Sequence, residues 1–335
     1  MVGAIRECSA LDDEAIRREV IASGRPAVLR GFVRNWPAVN LGSSGALAQY
    51  LRQFDSGKPV DAVMTPPEVG GRIFYDEAMK GFNFVRNRLP ISAIVDQVLR
   101  YSTFERAPAV AAQSALIQDC LPGFSRENGL TLLNEAILPR IWLGNAITTP
   151  THLDEWNNIG CVVTGRRRFT LFPPHQVGNL YIGPLDFAPT GAPMSLVCLH
   201  EPDLQRFPKF REALGAAVSA ELGPGDAIFI PPLWWHHVES LERFNVLVNY
   251  WWDASSDGRA AESNGSGFDT LIHALLNLRH LPPATREAWQ ALFDHFVFGS
   301  QPDITGHIPE HRHGMLGSLS PEGRARLRAY LKERL

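Results

Sequence analysis

The stretch that decides the fold is residues 148–174, TTPTHLDEWNNIGCVVTGRRRFTLFPP. Two short apolar runs, at residues 158–164 and 166–172, are separated only by Gly165 and are closed by two prolines. Strands of this length with a turn residue between them are typical of antiparallel β-structure rather than of alternating strands and helices. The stretch therefore predicts two neighbouring strands of a β-barrel or sandwich.

The same pattern extends along the chain on both sides of this stretch. Turns rich in Gly and Pro bound further apolar runs at residues 137–147, 195–199, 227–230 and 244–252. Many short strands at this spacing predict a mainly β fold with its barrel core at about residues 136–252.

The N-terminal part has a mixed pattern. Residues 12–22 and 44–54 have the apolar spacing of helices, and residues 27–30 read as a strand. Residues 58–72 are rich in Pro and Gly and predict a loop. We therefore expect helices that flank the barrel on its N-terminal side.

The C-terminal part is predicted to be helical and separate from the barrel. Residues 254–267, ASSDGRAAESNGSG, are small and polar and predict a linker between residues 1–253 and residues 268–335. Beyond the linker, two apolar stripes at helical spacing need a surface to cover them. Packing on the barrel and pairing with a second copy are the alternatives, and a homodimer through these helices is our preferred hypothesis.

Composition limits the partners and the compartment. The 335 residues are 45% hydrophobic and 20% charged, with a formal net charge of −3, so a sizeable core is expected. Without a basic excess or a long apolar run, we expect no nucleic-acid partner and no membrane partner. The four cysteines form no CxxC pair, and the N-terminus has no signal-peptide core, so we expect reduced thiols and a cytoplasmic location.

A candidate metal pair lies in the central stretch. His152 and Asp154 are two residues apart, so both face the same side of an extended segment, as does Asn158 if the strand continues. Two histidines and one carboxylate on one face of the ion are the iron(II) ligands of many oxygenases. The pattern alone is not specific, because residues 237–239, His-Val-Glu, have the same form. The first pair is favoured because it directly precedes an apolar strand.

The third ligand must come from a distant strand, and His236 is the candidate. It follows the turn-and-strand segment at residues 223–232 and lies among Trp234, Trp235 and His237, which would give a dry pocket. The alternative is that His236 and His237 are a pair of half-buried structural histidines.

A second signal is an arginine on an apolar strand face. Strand alternation puts Arg167 on the same side as Phe169 and Leu171, and Arg166 and Arg168 on the other. A buried guanidinium needs an anionic partner. A dicarboxylate cosubstrate held by a bidentate contact would provide one, and an internal salt bridge to a buried Asp or Glu is the alternative.

These segments resemble the Jumonji C and cupin-like oxygenases, especially the asparaginyl hydroxylase that acts on hypoxia-inducible factor. The resemblance covers about residues 140–252 in the right order. Its main motifs are TPTHLDE at residues 149–155, GRRR at 165–168, LFPP at 171–174, GPGD at 223–226, WWHHVES at 234–240 and VNYW at 248–251.

The resemblance implies a double-stranded β-helix, the jelly-roll fold of cupins, within an oxygenase domain at residues 1–253. It implies that His152, Asp154 and His236 bind Fe(II) and that His237 is structural. The implied activity is that of a 2-oxoglutarate-dependent dioxygenase, which uses O2, hydroxylates its substrate and releases succinate and CO2.

The resemblance also implies the cosubstrate and substrate contacts. The positions that match 2-oxoglutarate-binding residues are Thr149, Asn158 and Asn249, and Trp251 matches a residue of the substrate cleft. Two positions depart from the family pattern. Arg167 stands where the hydroxylase has lysine, and its cosubstrate-pocket tyrosine has no counterpart near residues 110–113, Val-Ala-Ala-Gln.

The sequence therefore leaves three hypotheses about function. The first is hydroxylation of a protein side chain, a peptide or a small molecule, and N-methyl demethylation by the same site ranks below it. The second is a metal-binding cupin of another enzyme class, against which the carboxylate of His152-Leu153-Asp154 argues, because many such cupins use three or four histidines. The third is a non-catalytic binding module that has kept the fold.

Overall fold

The computed structural model describes residues 2–253, 267–299 and 304–334. The chain divides into two compact units, Met1–Asn264 and Gly265–Leu335. Apart from its last residue, the predicted linker at 254–267 lies outside the described residues.

The first unit is built on β-strands. Within its described part they are β1 (Gly3–Ala4), β2 (Arg6–Ser9), β3 (Ala27–Arg30), β4 (Val60–Thr65), β5 (Val85–Leu89), β6 (Ala109–Leu116), β7 (Arg140–Gly144), β8 (Thr148–His152), β9 (Asn157–Thr164), β10 (Arg167–Phe172), β11 (Val218–Leu222), β12 (Ala227–Ile230), β13 (Trp235–Ser240) and β14 (Asn245–Trp252).

These strands form two sheets. The first has the order β1-β11-β10-β13-β8, and the second has the order β2-β3-β12-β9-β14-β7-β6-β4-β5. Consecutive strands β9 and β10 lie in different sheets, joined by Gly165 at a φ of 76°. A Cβ there would lie 2.3 Å from Asn245 Oδ1, so this turn requires glycine.

The two sheets pack face to face. One buried apolar cluster, which includes Phe169 and Leu171 of β10 and Val162, Ile228 and Leu247 of the larger sheet, fills part of the space between them. Alternation along each strand sends every second side chain into this space. The predicted mainly β, jelly-roll fold is confirmed.

Helices cover the outer face of the larger sheet, as the sequence predicted for the N-terminal side. In the first unit they are α1 (Asp13–Ala15), α2 (Ser44–Phe54), α3 (Ile91–Tyr101), α4 (Ile117–Cys120), α5 (Phe124–Glu127) and α6 (Phe210–Ala216). Leu51 of α2 and Ile94 of α3 share a core with Cys161 and Val163, the outward side chains of β9. Ser43 caps α2 by accepting a hydrogen bond from the backbone N–H of Ala46.

Two local predictions are wrong. Val60–Thr65 is strand β4 rather than part of a loop. Its backbone pairs with β5 and β6 and most of its side chains are buried, so only the Pro/Gly-rich residues after it form a turn. The predicted strand at 195–199 is a crossing segment that makes only isolated bridges. Its Ser195 N–H donates to the carbonyl of Thr151 on the edge strand β8, at 2.8 Å.

The described part of the second unit is helical. Its helices are α7 (Gly267–Leu278), α8 (Pro283–Phe293), continued by a π-helical turn at Asp294–Phe298, and α9 (Pro321–Lys332). Large apolar side chains on α7 and in the π-helical turn are exposed, with Leu276 at 71% and Phe298 at 75%. None of the described helices is long and apolar enough to cross a bilayer.

Candidate active site

The space between the sheets opens into a cavity of about 180 Å³. Its lining combines apolar side chains such as Phe169 and Ile228 with about as many polar ones. All eight predicted site residues line this one cavity: Thr149, His152, Asp154, Asn158, Arg167, His236, Asn249 and Trp251. Residues from five strands and from one loop therefore meet at a single place.

The three predicted ligand side chains lie together at one side of the cavity. His152 and His236 are directly opposite each other on β8 and β13, and their ring centroids are 4.2 Å apart. His236 Nε2 lies 3.5 Å from Asp154 Oδ2, and one potential ligand atom from each of the three residues lies within 4.8 Å of the others. Two imidazoles and a carboxylate at this spacing suit a divalent cation of the iron or zinc type.

Both imidazoles are held with one nitrogen directed at the cluster. His152 Nδ1 is 2.8 Å from the carbonyl oxygen of Pro150, and His236 Nδ1 is 3.0 Å from that of Trp234. Because a carbonyl oxygen only accepts, each Nδ1 carries the proton and each Nε2 offers its lone pair. Burial, followed by the neighbouring His236 ring, lowers the pKa of His152 well below its ordinary value, so this ring is neutral at pH 7.

The carboxylate is oriented by two donors that also line the cavity. Asp154 Oδ2 accepts from the indole Nε1–H of Trp251 at 3.1 Å and from the amide of Asn158 at 3.4 Å. Neighbours of this kind fix the orientation of a metal-binding carboxylate. Trp251, which the resemblance assigned to the substrate cleft, therefore also contacts the candidate ligand set.

A β-bulge brings Thr149 to the cavity. Strand alternation would put Thr149 and His152, three residues apart, on opposite faces. In β8, however, His152 pairs with His236 and Thr149 pairs with Val238, so three steps along β8 match two along β13. The extra residue turns Thr149 to the same side as His152.

Arg167 is buried in the cavity, and the part of the chain that the structure describes gives it no anionic partner. Only 6% of the residue is exposed, and burial lowers the pKa of its guanidinium to about 10. Its Nη2 donates a long hydrogen bond to the carbonyl of Trp142 at 3.5 Å, and its Nε has no hydrogen-bond partner among the described residues. In that same part of the chain no carboxylate contacts Arg167, which removes the internal salt bridge considered above as an alternative.

Asparagine amides line the cavity between Asp154 and the indole of Trp142. Asn249 Nδ2 donates to Asn158 Oδ1 at 3.2 Å, and Asn249 Oδ1 accepts from Trp142 Nε1 at 2.8 Å. Trp142 also packs edge-on against Trp251, with ring centroids 6.2 Å apart. Sequence reasoning missed Trp142, although it lies in the predicted apolar run at residues 137–147.

Two further lining residues, Ser114 and Thr190, left no signal in the sequence. Ser114 reaches the cavity from β6, the strand near which the resemblance places the missing tyrosine, and it has a φ of 48°. A register shift between Ala112 and Ala115 accompanies it. Thr190 comes from a loop, and its buried hydroxyl has no partner among the described residues. Irregular backbone of this kind does not follow from periodicity.

A jelly-roll barrel with a histidine–aspartate–histidine cluster at an internal cavity defines this chain as a protein of the cupin class. Comparison with protein families agrees with that definition. The family model described as the cupin-like domain matches residues 13–258, well over half of the chain. The chain therefore belongs to the cupin-like domain family.

Several curated proteins are similar to this chain. Human HSPB1-associated protein 1 is 38% identical over 119 residues, which are 35% of this chain and 24% of that protein. The human protein named bifunctional peptidase and (3S)-lysyl hydroxylase JMJD7 is 26% identical over 269 residues, covering 72% of this chain and 81% of that protein. Lysine-specific demethylase JMJ31 of Arabidopsis thaliana is 35% identical over 115 residues, covering 34% and 20% of the two chains.

These matches differ in the share of the relative that they cover. The chain spans about a quarter of the length of HSPB1-associated protein 1, at 24%, but most of the lysyl hydroxylase, at 81%. Among these relatives, one is named a hydroxylase and one a demethylase.

Proposed function

We propose that the chain is an iron(II)- and 2-oxoglutarate-dependent dioxygenase that hydroxylates its substrate. The observation that carries this proposal is Arg167, a buried cation that meets no anionic partner among the described residues, in the same cavity as a cluster of two histidines and one carboxylate. Removing a guanidinium from water costs several kcal/mol unless an anion compensates it. A cosubstrate that binds a metal at one end and offers a carboxylate at the other fits both features.

His152, Asp154 and His236 would hold the iron. Their donor set suits Fe(II), and the backbone carbonyls at both Nδ1 atoms already fix the ring orientations that binding requires. Iron bound there would supply the activation of dioxygen, with one oxygen atom entering the substrate and the other the succinate formed as 2-oxoglutarate loses CO2. The protein's own contribution is to bind, orient and keep out water.

The cosubstrate would lie between the metal cluster and Arg167. Arg167 offers two parallel N–H donors to the distal carboxylate, and the Thr149 hydroxyl, brought to this face by the bulge, offers a third. The amides of Asn158 and Asn249 are positioned for the end near the metal. The asparaginyl hydroxylase that acts on hypoxia-inducible factor has lysine at the position of Arg167. Because the arginine side chain is larger and forked, we propose a different pose for the distal carboxylate of 2-oxoglutarate.

The substrate class is proposed to be a protein or peptide side chain. The similarity to the lysyl hydroxylase, which covers 81% of that relative, supports hydroxylation over demethylation. The demethylase match covers only 20% of its relative and supports N-methyl oxidation as the second candidate. Trp251, whose ring lies 5.7 Å from the guanidinium carbon of Arg140, would line the side at which the substrate enters.

The test measures cosubstrate binding and turnover in matched arginine variants. We expect the wild-type protein with Fe(II) to form succinate from 2-oxoglutarate, and Arg167→Ala to weaken 2-oxoglutarate binding about 30-fold or more by calorimetry. Arg166→Ala, on the outward face of the same sheet, is the control and should bind normally. A metal-binding cupin without a cosubstrate, or a non-catalytic module, would bind 2-oxoglutarate equally weakly in all three proteins.

We also propose a homodimer through the second unit and a cytoplasmic location. Exposed apolar side chains such as Leu276 and Phe298 support self-association, since contiguous apolar surface is usually covered. Light scattering of the full chain and of Leu276→Glu would test it, with a monomeric variant expected. The four cysteines, all free thiols, support a reducing compartment.

A further inference from the structure

A second histidine–carboxylate cluster lies on the opposite face of β13. His237 and Glu239 share this outer face, because they alternate with His236 and Val238, which line the cavity. His200, from the segment that crosses the sheet, places its Nε2 3.1 Å from Glu239 Oε1. One potential ligand atom from each of the three residues lies within 4.8 Å of the others.

The contact between His200 and Glu239 leaves one atom of this cluster unexplained. His237 is only 3% exposed, and its buried Nε2 has no hydrogen-bond partner among the residues that the structure describes. The nearby His200 ring, whose centroid is 5.8 Å from that of His237, makes no hydrogen bond to this Nε2. Burying a polar atom without a partner is destabilising, and a ligand at this place would offset that cost.

We propose that His200, His237 and Glu239 form a second divalent-cation site, suited to zinc. Two imidazole nitrogens and one carboxylate oxygen are a common zinc ligand set, and the exposed side of His200 leaves room for a water as the fourth ligand. The proposal is independent of the proposed oxygenase function, because it uses none of the residues that line the cavity.

The role of this second ion would be to fix the crossing segment on the back of the sheet. That segment already contacts β8 through the Ser195 N–H, and β8 carries His152. An ion bound by His200 would therefore connect the crossing segment to β13, which carries His236. Since Arg168 Nη1 also lies 3.5 Å from Glu239 Oε1, we expect weaker binding than in a closed site with four protein ligands.

The experiment counts zinc in the full chain. Metal-free protein is equilibrated with excess zinc and separated by gel filtration, and its bound zinc is measured by mass spectrometry. The variants are His200→Ala, whose side chain is 55% exposed and can be lost without disturbing the core, and His152→Ala in the cavity. His175→Ala removes another exposed histidine of the first unit and serves as the control.

We expect His200→Ala to bind one zinc ion fewer than the wild type, and His175→Ala to bind the same number. His152→Ala should also lose one ion, and the double variant should lose two. Equal zinc content in His200→Ala and wild type would overturn the second site. A loss in His200→Ala but not in His152→Ala would support the second site and count against the proposed iron cluster.

A second measurement separates metal binding from a plain ion pair. Glu239→Gln keeps the shape and hydrogen-bonding capacity of the side chain but removes its charge, so we expect its zinc affinity at this site to fall about 10-fold or more. Zinc should raise the melting temperature of the wild type, and this increase should be smaller in His200→Ala. If zinc raises the melting temperature equally in both proteins, the cluster is an ion pair only and the proposal fails.

Discussion

On the two faces of the five-stranded sheet, residues of the same type have opposite surroundings. On the outer face Arg168 lies 3.5 Å from carboxylate oxygens of both Glu221 and Glu239, and it is partly exposed. On the inner face Arg167, the next residue of the same strand, is buried and meets no carboxylate in the described part of the chain. Arg168 is neutralised by carboxylates of the protein, whereas Arg167 remains available to an anionic ligand.

This difference indicates where a ligand belongs. Outer polar groups mostly satisfy one another across neighbouring strands, as Thr170 and Ser219 do with hydroxyl oxygens 3.1 Å apart. Inner polar groups are positioned by the protein but leave their functional atoms directed at the cavity. His237 is the exception on the outer face, since its Nε2 is buried and without a partner among the described residues, and it therefore led to the second proposed site.

The strongest test of the comparison removes an inner histidine. His236→Ala should weaken Fe(II) binding by more than about 100-fold, beyond the loss produced by removing an outer-sphere contact, and succinate formation should fall with it. Binding is measured by competition with a chromogenic chelator. His175→Ala is the control, and unchanged iron affinity in His236→Ala would show that the inner cluster is not the metal site.

The second prediction concerns the stability cost of the inner arginine. Arg167→Met replaces an unpaired buried cation with an apolar side chain, so the free energy of unfolding of the ligand-free protein should rise by about 2 kcal/mol. Urea denaturation without metal or 2-oxoglutarate measures it. A decrease in stability would mean that the protein itself already compensates the guanidinium, and the contrast between the faces would be lost.

The third prediction concerns the indole that orients the carboxylate. Trp251→Phe keeps an aromatic ring but removes the Nε1–H that donates to Asp154 Oδ2 at 3.1 Å. Iron affinity should fall about 10-fold, the lower end expected for such a contact. The same chelator competition measures it, with Trp234→Phe as a control because Trp234 donates no hydrogen bond to the cluster through its side chain in the described residues. Equal iron affinities of the two variants would show that the Trp251 indole does not orient Asp154.

The smallest effect is expected on the outer face. Arg166 is 55% exposed and pairs with Glu221 and Glu242. Exposed pairs of this kind contribute little to stability and weaken with salt. Urea denaturation of Arg166→Ala at low and high salt should show a small loss that salt reduces further. A loss as large as the gain expected for Arg167→Met would mean that the outer pairs contribute more than exposed ion pairs do.

Much of the fold and of the candidate site follows from local periodicity. Alternation from Arg167 to Leu171 predicted the inward arginine, and the two-residue spacing of His152 and Asp154 predicted a shared face. Both signals are short-range, because strand geometry relates residues two apart whatever their partners are. The β4 strand was missed for the same reason: its neighbours in sequence are Pro and Gly, while its partners β5 and β6 lie far along the chain.

The amino-acid sequence predicted a mainly β barrel or sandwich, the inward arginine and the three side chains of the candidate metal cluster, and its resemblance to the cupin-like oxygenases narrowed the fold to a jelly-roll. The tertiary structure decided that a bulge turns Thr149 to the side of His152, that Trp251 donates to Asp154, and that His200 meets His237 and Glu239 behind the sheet. The physical reason is that periodicity fixes the face of a residue within its own strand. Register shifts, crossing segments and contacts between sheets depend on how distant parts of the chain pack together.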